Sequence, residues 1–346
     1  MRALVLEAFG TAPLPAEVPD PEPPEGGVVV AVEATGMCRS DWHAVMGHDS
    51  AVALPHVPGH ELSGRVVAVG AGVRRWSVGD LVTTPFVCGC GRCGVCAAGN
   101  THVCPDQQQP GFTHWGSFAE LVALHAADTN LVGVPDGLDV GAAATLGCRF
   151  ATAYRAVRTR AGARSGEWVA VLGCGGVGLS AVLVAVAAGA RVVAVDVSPD
   201  ALAVARSLGA EVLVDGAEAD VPAAVHEATR GGAHVAVDAL GSPGTCRDSV
   251  LSLRRRGRQV QVGLLPPAGG RVEVPMERVI AWELDLLGSH GMPAADYPAM
   301  LADVASGLLD PGTLVHRQVS LAALPAELMA MGERPPLGVL VCDPRT

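Results

Sequence analysis

Cys90, Cys93, Cys96 and Cys104 fall in one glycine-rich stretch at Cys-x2-Cys-x2-Cys-x7-Cys spacing. Four thiolates on a short irregular loop suit a closed tetrahedral zinc shell. The competing chemistry is an iron–sulfur cluster, because Pro105 follows Cys104. Ferredoxin-type spacing, however, puts the fourth cysteine after three residues rather than seven. Cys88, two residues upstream, reads as a spare thiol or a competitor for the metal. Three more potential ligands are scattered: Cys38 in Gly36-Met-Cys-Arg-Ser-Asp-Trp-His43, His60 in Pro58-Gly-His-Glu61, and Cys148 in Leu146-Gly-Cys-Arg149. Spacing alone does not join them. Taken singly, each reads as a buried thiol or a structural histidine.

A second chemistry is phosphate binding. Gly173, Gly175 and Gly178 stand at G-x-G-x-x-G spacing, after the apolar run Val169-Ala-Val-Leu172 and before another apolar stretch. The first glycine permits a tight turn, the second lets backbone approach a pyrophosphate, and the third lets helix and strand pack closely. Gly176 and Val177 lie in the same turn, where a helix N-terminus offers free N–H groups to phosphate. Asp196 ends the next β-branched run, about 20 residues on, where a carboxylate accepts hydrogen bonds from an adenosine ribose. Nothing basic among Val197, Ser198 and Pro199 offsets it, which favours NAD over NADP. Trp168 to Ala190 carries no charge and could be mistaken for a membrane span. The four glycines between Gly173 and Gly178, and the new β-branched run from Val192, argue against that.

The elements that position these residues fall into two patterns. Residues 1–150 look β-rich and irregular, with strands expected at 28–32 and 64–69. Pro13 to Pro24 holds six prolines and is expected to be a surface connection, not a strand. Residues 151–288 alternate: strands at 168–172, 191–196, 211–214, 234–238 and 258–263 with helical segments between them. That is a doubly wound parallel sheet of the Rossmann type. From 289 the pattern turns mixed, and Leu337 to Val341 reads as a strand. The 289–346 tail is expected to return to the first domain and make it discontinuous. Arg254-Arg-Arg-Gly-Arg258 reads as a solvated helix end, and Asp238 as a functional acid or a turn cap.

Composition narrows the chemistry. All 24 basic residues of the 346 are arginine, which excludes a P-loop lysine, a Schiff-base lysine and a Tyr-x-x-x-Lys pair. The net charge of −11 disfavours nucleic acid and anionic membranes as partners. Ten cysteines without a secretory hydrophobic segment at the start point to metal rather than disulfides, and to a cytoplasmic protein.

With all these motifs in this order, the chain resembles the zinc-dependent medium-chain alcohol dehydrogenases, in their bacterial form. The resemblance implies a GroES-like fold for the β-rich domain, two zinc ions per chain, and hydride transfer between an alcohol and NAD. By it, Cys38, His60 and Cys148 match the catalytic zinc ligands, and Cys90, Cys93, Cys96 and Cys104 the structural zinc lobe. Glu61 matches the acid beside the catalytic metal, able to act as a transient ligand. Ser40 matches the hydroxyl that hydrogen-bonds the substrate oxygen, and His43 the far end of the proton relay. Arg39 matches a position that often contacts the cofactor pyrophosphate, and Asp41 one that can orient a ligand imidazole. Phe86 is a substrate-pocket candidate, with Trp42 and Trp115 weaker ones. His48, His56 and His114 could border the substrate entrance, and His290 could line the inter-domain cleft or be a structural histidine. Many relatives carry a basic residue in the last strand; Leu337 to Val341 has none, and that role is not carried over. The compact form further implies a homo-oligomer, tetrameric by analogy, acting on a small alcohol or aldehyde. Polyol, amino-alcohol or specialised biosynthetic turnover is the alternative, and a non-catalytic dinucleotide-binding redox sensor a more distant one. Cys148, where sorbitol-type relatives often have an acid, favours simple alcohols.

Overall fold

Val28–Met37 is the spine of the metal-bearing part of the molecule. Its run of valines is almost wholly buried, as expected of a strand covered on both faces. The computed structural model describes residues 1–265 and 272–346. They form two units: Met1–Ala151 with Gly291–Thr346, and Thr152–His290.

In the first unit the spine pairs antiparallel with Glu61–Val69, Leu121–Leu124 and the C-terminal strand Val339–Asp343. Short strands Leu81–Thr83 and Val132–Gly133 extend one side of this seven-stranded sheet, and Val315–Ser320 closes the other. Two apolar cores flank it. One gathers Val30, Val32, Leu62, Val66 and Leu124; the other gathers Leu4, Leu6, Met37, Phe118, Leu328 and Leu340. Each fully buried Val or Leu there contributes about 1.5–3 kcal/mol relative to exposure. The spine's register, Thr35 opposite Leu62 and Gly36 opposite Glu61, brings its C-terminal end beside the start of its neighbour. Cys38 follows one end, and His60 precedes the other.

The proline-rich segment differs from expectation. Leu14–Glu17 is a strand, paired antiparallel with Arg2–Val5, and Pro15 sits opposite Leu4. Arg2–Val5 is also bridged on its other side, Ala3 to Ala119, so Leu14–Glu17 is the edge of the pair, where a missing N–H can face away from its partner without breaking a ladder.

The second unit holds six parallel strands in the order 212–215, 191–196, 168–172, 233–238, 253–261, 285–288. Numbered along the chain this is 3-2-1-4-5-6, the doubly wound dinucleotide-binding order. The charge-free stretch from Trp168 to Ala190 is the innermost strand, Trp168–Leu172, followed by helix Gly176–Ala187. Both lie inside the unit, which is why neither carries a charge. No helix among the described residues is long and apolar enough to cross a membrane. The arginine run also corrects its expectation. It belongs to strand Leu253–Gln261, not to a helix end. The pairing slips between Leu253 and Arg258, so a bulge carries Arg254, Arg255 and Arg256 into solvent. Arg255 and Arg278 both lie over the Trp282 ring, 5.0 and 4.1 Å from its centroid.

Candidate metal centres and nucleotide turn

Two clusters of metal-ligand side chains stand in the first unit, each with its ligand atoms within 4.8 Å of one another. One is Cys90, Cys93, Cys96 and Cys104. The other is Cys38, His60, Glu61 and Cys148.

The four-cysteine lobe is built from turns rather than regular elements. Cys93 caps the short helix Gly94–Ala97 through its sulfur, which accepts the N–H of Cys96 at 3.4 Å. Cys104 accepts the N–H of Cys90 at 3.4 Å. The buried Asn130 clamps the lobe's entry by exchanging two 2.9 Å hydrogen bonds with the backbone of Gly89. Sulfur pairs 90–96 and 93–104 are 4.0 and 3.7 Å apart. Zinc–sulfur bonds of 2.3 Å in a tetrahedron give edges of about 3.8 Å, so the donor set fits zinc. The backbone N–H of Arg92 draws the Cys90 thiol down to about 6, favouring the thiolate that a metal needs. Cys88 is outside the cluster. It is buried 3.4 Å from Thr84 Oγ1, and burial pushes its thiol up to about 11, so it is a packed, unreactive sulfur.

The second cluster is held by one carboxylate. Asp41, fully buried in helix Arg39–Val45, accepts the N–H of Cys38 at 2.8 Å and that of Gly59 at 3.2 Å. Its Oδ1 also lies 2.7 Å from His60 Nδ1. Asp41 therefore fixes the backbone beside two of the ligands and sets which imidazole nitrogen faces the cluster. That nitrogen, His60 Nε2, is buried and has no hydrogen-bond partner among the described residues. An orphaned buried acceptor beside two thiols is costly unless something coordinates it, and zinc fits the donor set. Cys148 arrives on Leu146–Phe150, a turn wound as a π-helix behind the Asp139-capped helix Val140–Thr145. Its neighbours Leu146 and Gly147 are anchored by Tyr297, whose hydroxyl donates to the Leu146 carbonyl at 2.9 Å, and by the N–H of Phe86 on the Gly147 carbonyl at 2.9 Å.

Around this cluster, Ser40 Oγ lies 3.8 Å from Cys38 Sγ. His43, half-buried, has its Nδ1 2.9 Å from Nδ1 of His48, and Trp42 stands edge-on to both rings. Burial, then the charges of Arg39 and His48, hold the His43 imidazole below its ordinary value. Arg39 is exposed, its guanidinium 5.4 Å above the Trp42 ring. Phe86 and Phe112 flank His60, with ring centroids 6.1 and 5.2 Å away. Trp42 packs on Gly332, and Trp115 donates to the Pro55 carbonyl, so both are structural in their visible contacts. His56 is buried, and burial pushes His114 down to about 4 beside the edge-on ring of His125.

Two residues here escaped the sequence reading. Phe112 carried no motif signal. Arg149 did carry one: an arginine directly after a ligand cysteine has to go somewhere, and it goes inward onto Glu61.

In the second unit, the glycine turn has the shape a pyrophosphate needs. Gly173 has φ +92°, and a Cβ on Gly178 would strike the Gly173 carbonyl. A Cβ on Gly175 would meet nothing within 4 Å, leaving a cradle at the N-terminus of helix Gly176–Ala187. Asp196 Oδ2 accepts the Cys174 N–H at 2.6 Å, and its Oδ1 accepts the Ser198 N–H at 2.8 Å. The carboxylate is thus locked between the glycine turn and the end of its own strand. Asp238 is a turn cap: it accepts the N–H groups of Leu240 and Gly241 at 3.0 Å and the Gln261 amide at 2.8 Å.

Comparison with known proteins points the same way. A model of the alcohol dehydrogenase GroES-like domain matches residues 24–136, and one of the zinc-binding dehydrogenases matches residues 176–306. An alcohol dehydrogenase of Rhizobium meliloti (strain 1021) is 38% identical over 295 residues, 84% of each chain. One from Geobacillus stearothermophilus is 36% identical over 310 residues, 89% of this chain and 90% of that one. The crystal structure of an NAD-dependent alcohol dehydrogenase, 32% identical, superposes over 99% of both chains with a TM-score of 0.88.

Proposed function

The chain belongs to the zinc-dependent medium-chain alcohol dehydrogenases, and from that premise we propose the residues that carry its chemistry. The enzyme interconverts alcohols with aldehydes or ketones using NAD and zinc. Cys38, His60 and Cys148 hold the catalytic zinc; Cys90, Cys93, Cys96 and Cys104 hold the structural one. The observation that carries this reading is the buried, unpartnered Nε2 of His60, whose other nitrogen is taken by Asp41. Bound zinc supplies a Lewis acid that makes a hydroxyl easier to deprotonate, and NAD supplies the hydride acceptor.

The protein's own groups do the rest. Asp41 fixes the tautomer of His60. Phe86 and Phe112 form apolar walls beside that imidazole. Ser40 Oγ accepts the hydroxyl proton of the substrate as its own hydroxyl proton moves on, and His43 takes up a proton at the end of the relay nearer to solvent, where His48 shares the hydrogen bond at Nδ1. The glycine turn with Gly173, Gly175, Gly176, Val177 and Gly178 cradles the pyrophosphate, Arg39 adds positive charge, and Asp196 takes the adenosine ribose. A carboxylate fixed at Asp196 repels a 2′-phosphate, so NAD is preferred over NADP.

The enzyme works as a homo-oligomer in the cytoplasm. Support for the first comes from edge strand Asp285–Gly288, where Leu286 and the nearby Ile280 and Met276 are exposed. An unpaired, apolar edge of this kind is an invitation to a second copy. Support for the second comes from ten cysteines of which none forms a disulfide.

The test is NADH formation with a panel of primary, secondary, aromatic and polyol alcohols, and the reverse with aldehydes and ketones. Turnover of simple alcohols is expected, and silence across the panel with two zinc ions bound would overturn that substrate class. Asp196→Ala should erase at least about tenfold of the NAD-over-NADP preference in kcat/KM, about 1.4 kcal/mol of discrimination. An unchanged ratio would refute the role given to Asp196.

A further inference from the structure

We infer that Arg149 is a positioning residue for the catalytic metal: it holds Glu61 as a paired anion and keeps that carboxylate from becoming a standing fourth ligand. The inference rests on the reading that Cys38, His60 and Cys148 hold zinc.

Glu61 is fully buried and Arg149 is 4% exposed. Both carboxylate oxygens are engaged by this one residue. Oε1 accepts the Arg149 backbone N–H at 3.0 Å and its Nε–H at 2.9 Å. Oε2 accepts from Nε at 3.2 Å and from Nη2 in a closer contact. Gly36 closes the pair in, since a Cβ there would collide with the carboxylate and come within 3.0 Å of Arg149 Nη2. Even so, an oxygen of Glu61 lies within 4.8 Å of the ligand atoms of Cys38, His60 and Cys148. A free carboxylate at that range would compete for the position that a three-ligand catalytic site must keep open.

A guanidinium is suited to prevent it. Its rigid fork engages both oxygens at once, which a lysine ammonium cannot match. It also offsets charge. Two thiolates, Glu61 and the buried Asp41 carry four negative charges, against three positive charges from a divalent ion and one guanidinium, so loss of Arg149 widens an existing excess. Remove Arg149, and a buried anion loses its guanidinium partner while its oxygen stays within 4.8 Å of the metal's ligand atoms. An uncompensated buried charge is costly, and coordinating the metal gives the carboxylate a new cationic partner.

The experiment places cobalt at the open site and zinc in the cysteine lobe, in the whole enzyme. Metal content and the visible d–d spectrum are then read alongside activity. In Arg149→Gln the bands should weaken and move to higher energy as Glu61 adds to the coordination shell. kcat should fall roughly 10–100-fold. The double variant Arg149→Gln/Glu61→Gln has no carboxylate to compete, and should return the wild-type spectrum and part of the activity. A wild-type spectrum in Arg149→Gln overturns the inference, as does a double variant that stays as displaced as the single one. If Arg149→Gln does not fold, Arg149→Lys serves: it keeps the charge but grips one oxygen, and an unmoved spectrum there also overturns it. A wild-type enzyme that binds metal only in the lobe, with no cobalt band, would instead refute the ligand assignment beneath it.

Discussion

The Cys90–Cys104 lobe and the Cys38–His60–Cys148 cluster each gather four ligand-bearing side chains within the same 4.8 Å, yet they are built oppositely. The lobe draws all its sulfurs from one short loop, and backbone N–H groups at 3.4 Å orient two of them. The groups that orient these sulfurs are backbone N–H groups, not charged side chains. The other cluster draws ligands from three places far apart in sequence, and each place has its own positioning device. Asp41 holds Cys38 and His60, the π-wound turn presents Cys148, and Arg149 restrains Glu61. The difference is that between a staple and a tool. In the proposed assignment, four sulfurs saturate a tetrahedral ion and leave it inert, whereas a clamped carboxylate leaves three ligands and an open position.

The largest expected effect breaks the open cluster. Cys148→Ala should lower bound zinc from two ions per chain to one and cut kcat/KM by about a thousandfold or more, since Lewis-acid assistance supplies several kcal/mol of barrier lowering. Two zinc ions or retained turnover in this variant would sink the ligand assignment. Cys104→Ser should also remove one zinc, with the opposite signature. Because structural metal binding contributes to folding free energy, Tm should drop by about 10 °C, the shift expected of a few kcal/mol in a chain of this size. The initial rate at 25 °C should stay near that of the parent enzyme. Should Cys104→Ser lose activity as fully as Cys148→Ala without a change in Tm, the division between staple and tool would be wrong.

The same contrast explains what could be read from sequence. The lobe was legible because its geometry is local: four cysteines within one loop have few other ways to sit. The nucleotide turn was legible for the same reason, and strands 168–172 and 191–196 lie where the apolar runs put them. The open cluster is a product of register. Only the pairing of Gly36 with Glu61 brings Cys38 to His60, and only the turn at 146–150 brings Cys148 to both. No spacing rule encodes that, so resemblance had to join them. Arg149 escaped because a basic residue is read as solvated by default, and its burial depends wholly on a carboxylate 88 positions away. The strand at 14–17 and the bulged arginine run were misread for a related reason. Proline and consecutive charges are penalised in central strands, but an edge strand tolerates the one and a solvent-facing bulge the other.

The smallest expected effect probes something only the open cluster needs, a path for protons. His43 lies below its ordinary value of 6.5, chiefly through burial and then through Arg39 and His48. As a proton acceptor it works in its neutral form, above its own pKa. The depressed value therefore keeps it competent to more acid pH than a free imidazole, and its contribution is lost as pH falls through that lowered value. In His43→Ala, water and buffer must take the proton instead. The expected loss in kcat/KM is about tenfold near neutrality, below the usual range for a group acting directly on the reacting atom. It should shrink as pH rises and hydroxide substitutes. The comparison is a pair of pH profiles with zinc content held at two ions per chain. Parallel profiles would remove His43 from the path. A loss that is largest between the lowered His43 value and neutrality, and shrinks on both sides of that window, would mean that the open cluster sends its protons outward through His43, a demand the proposed cysteine lobe does not make.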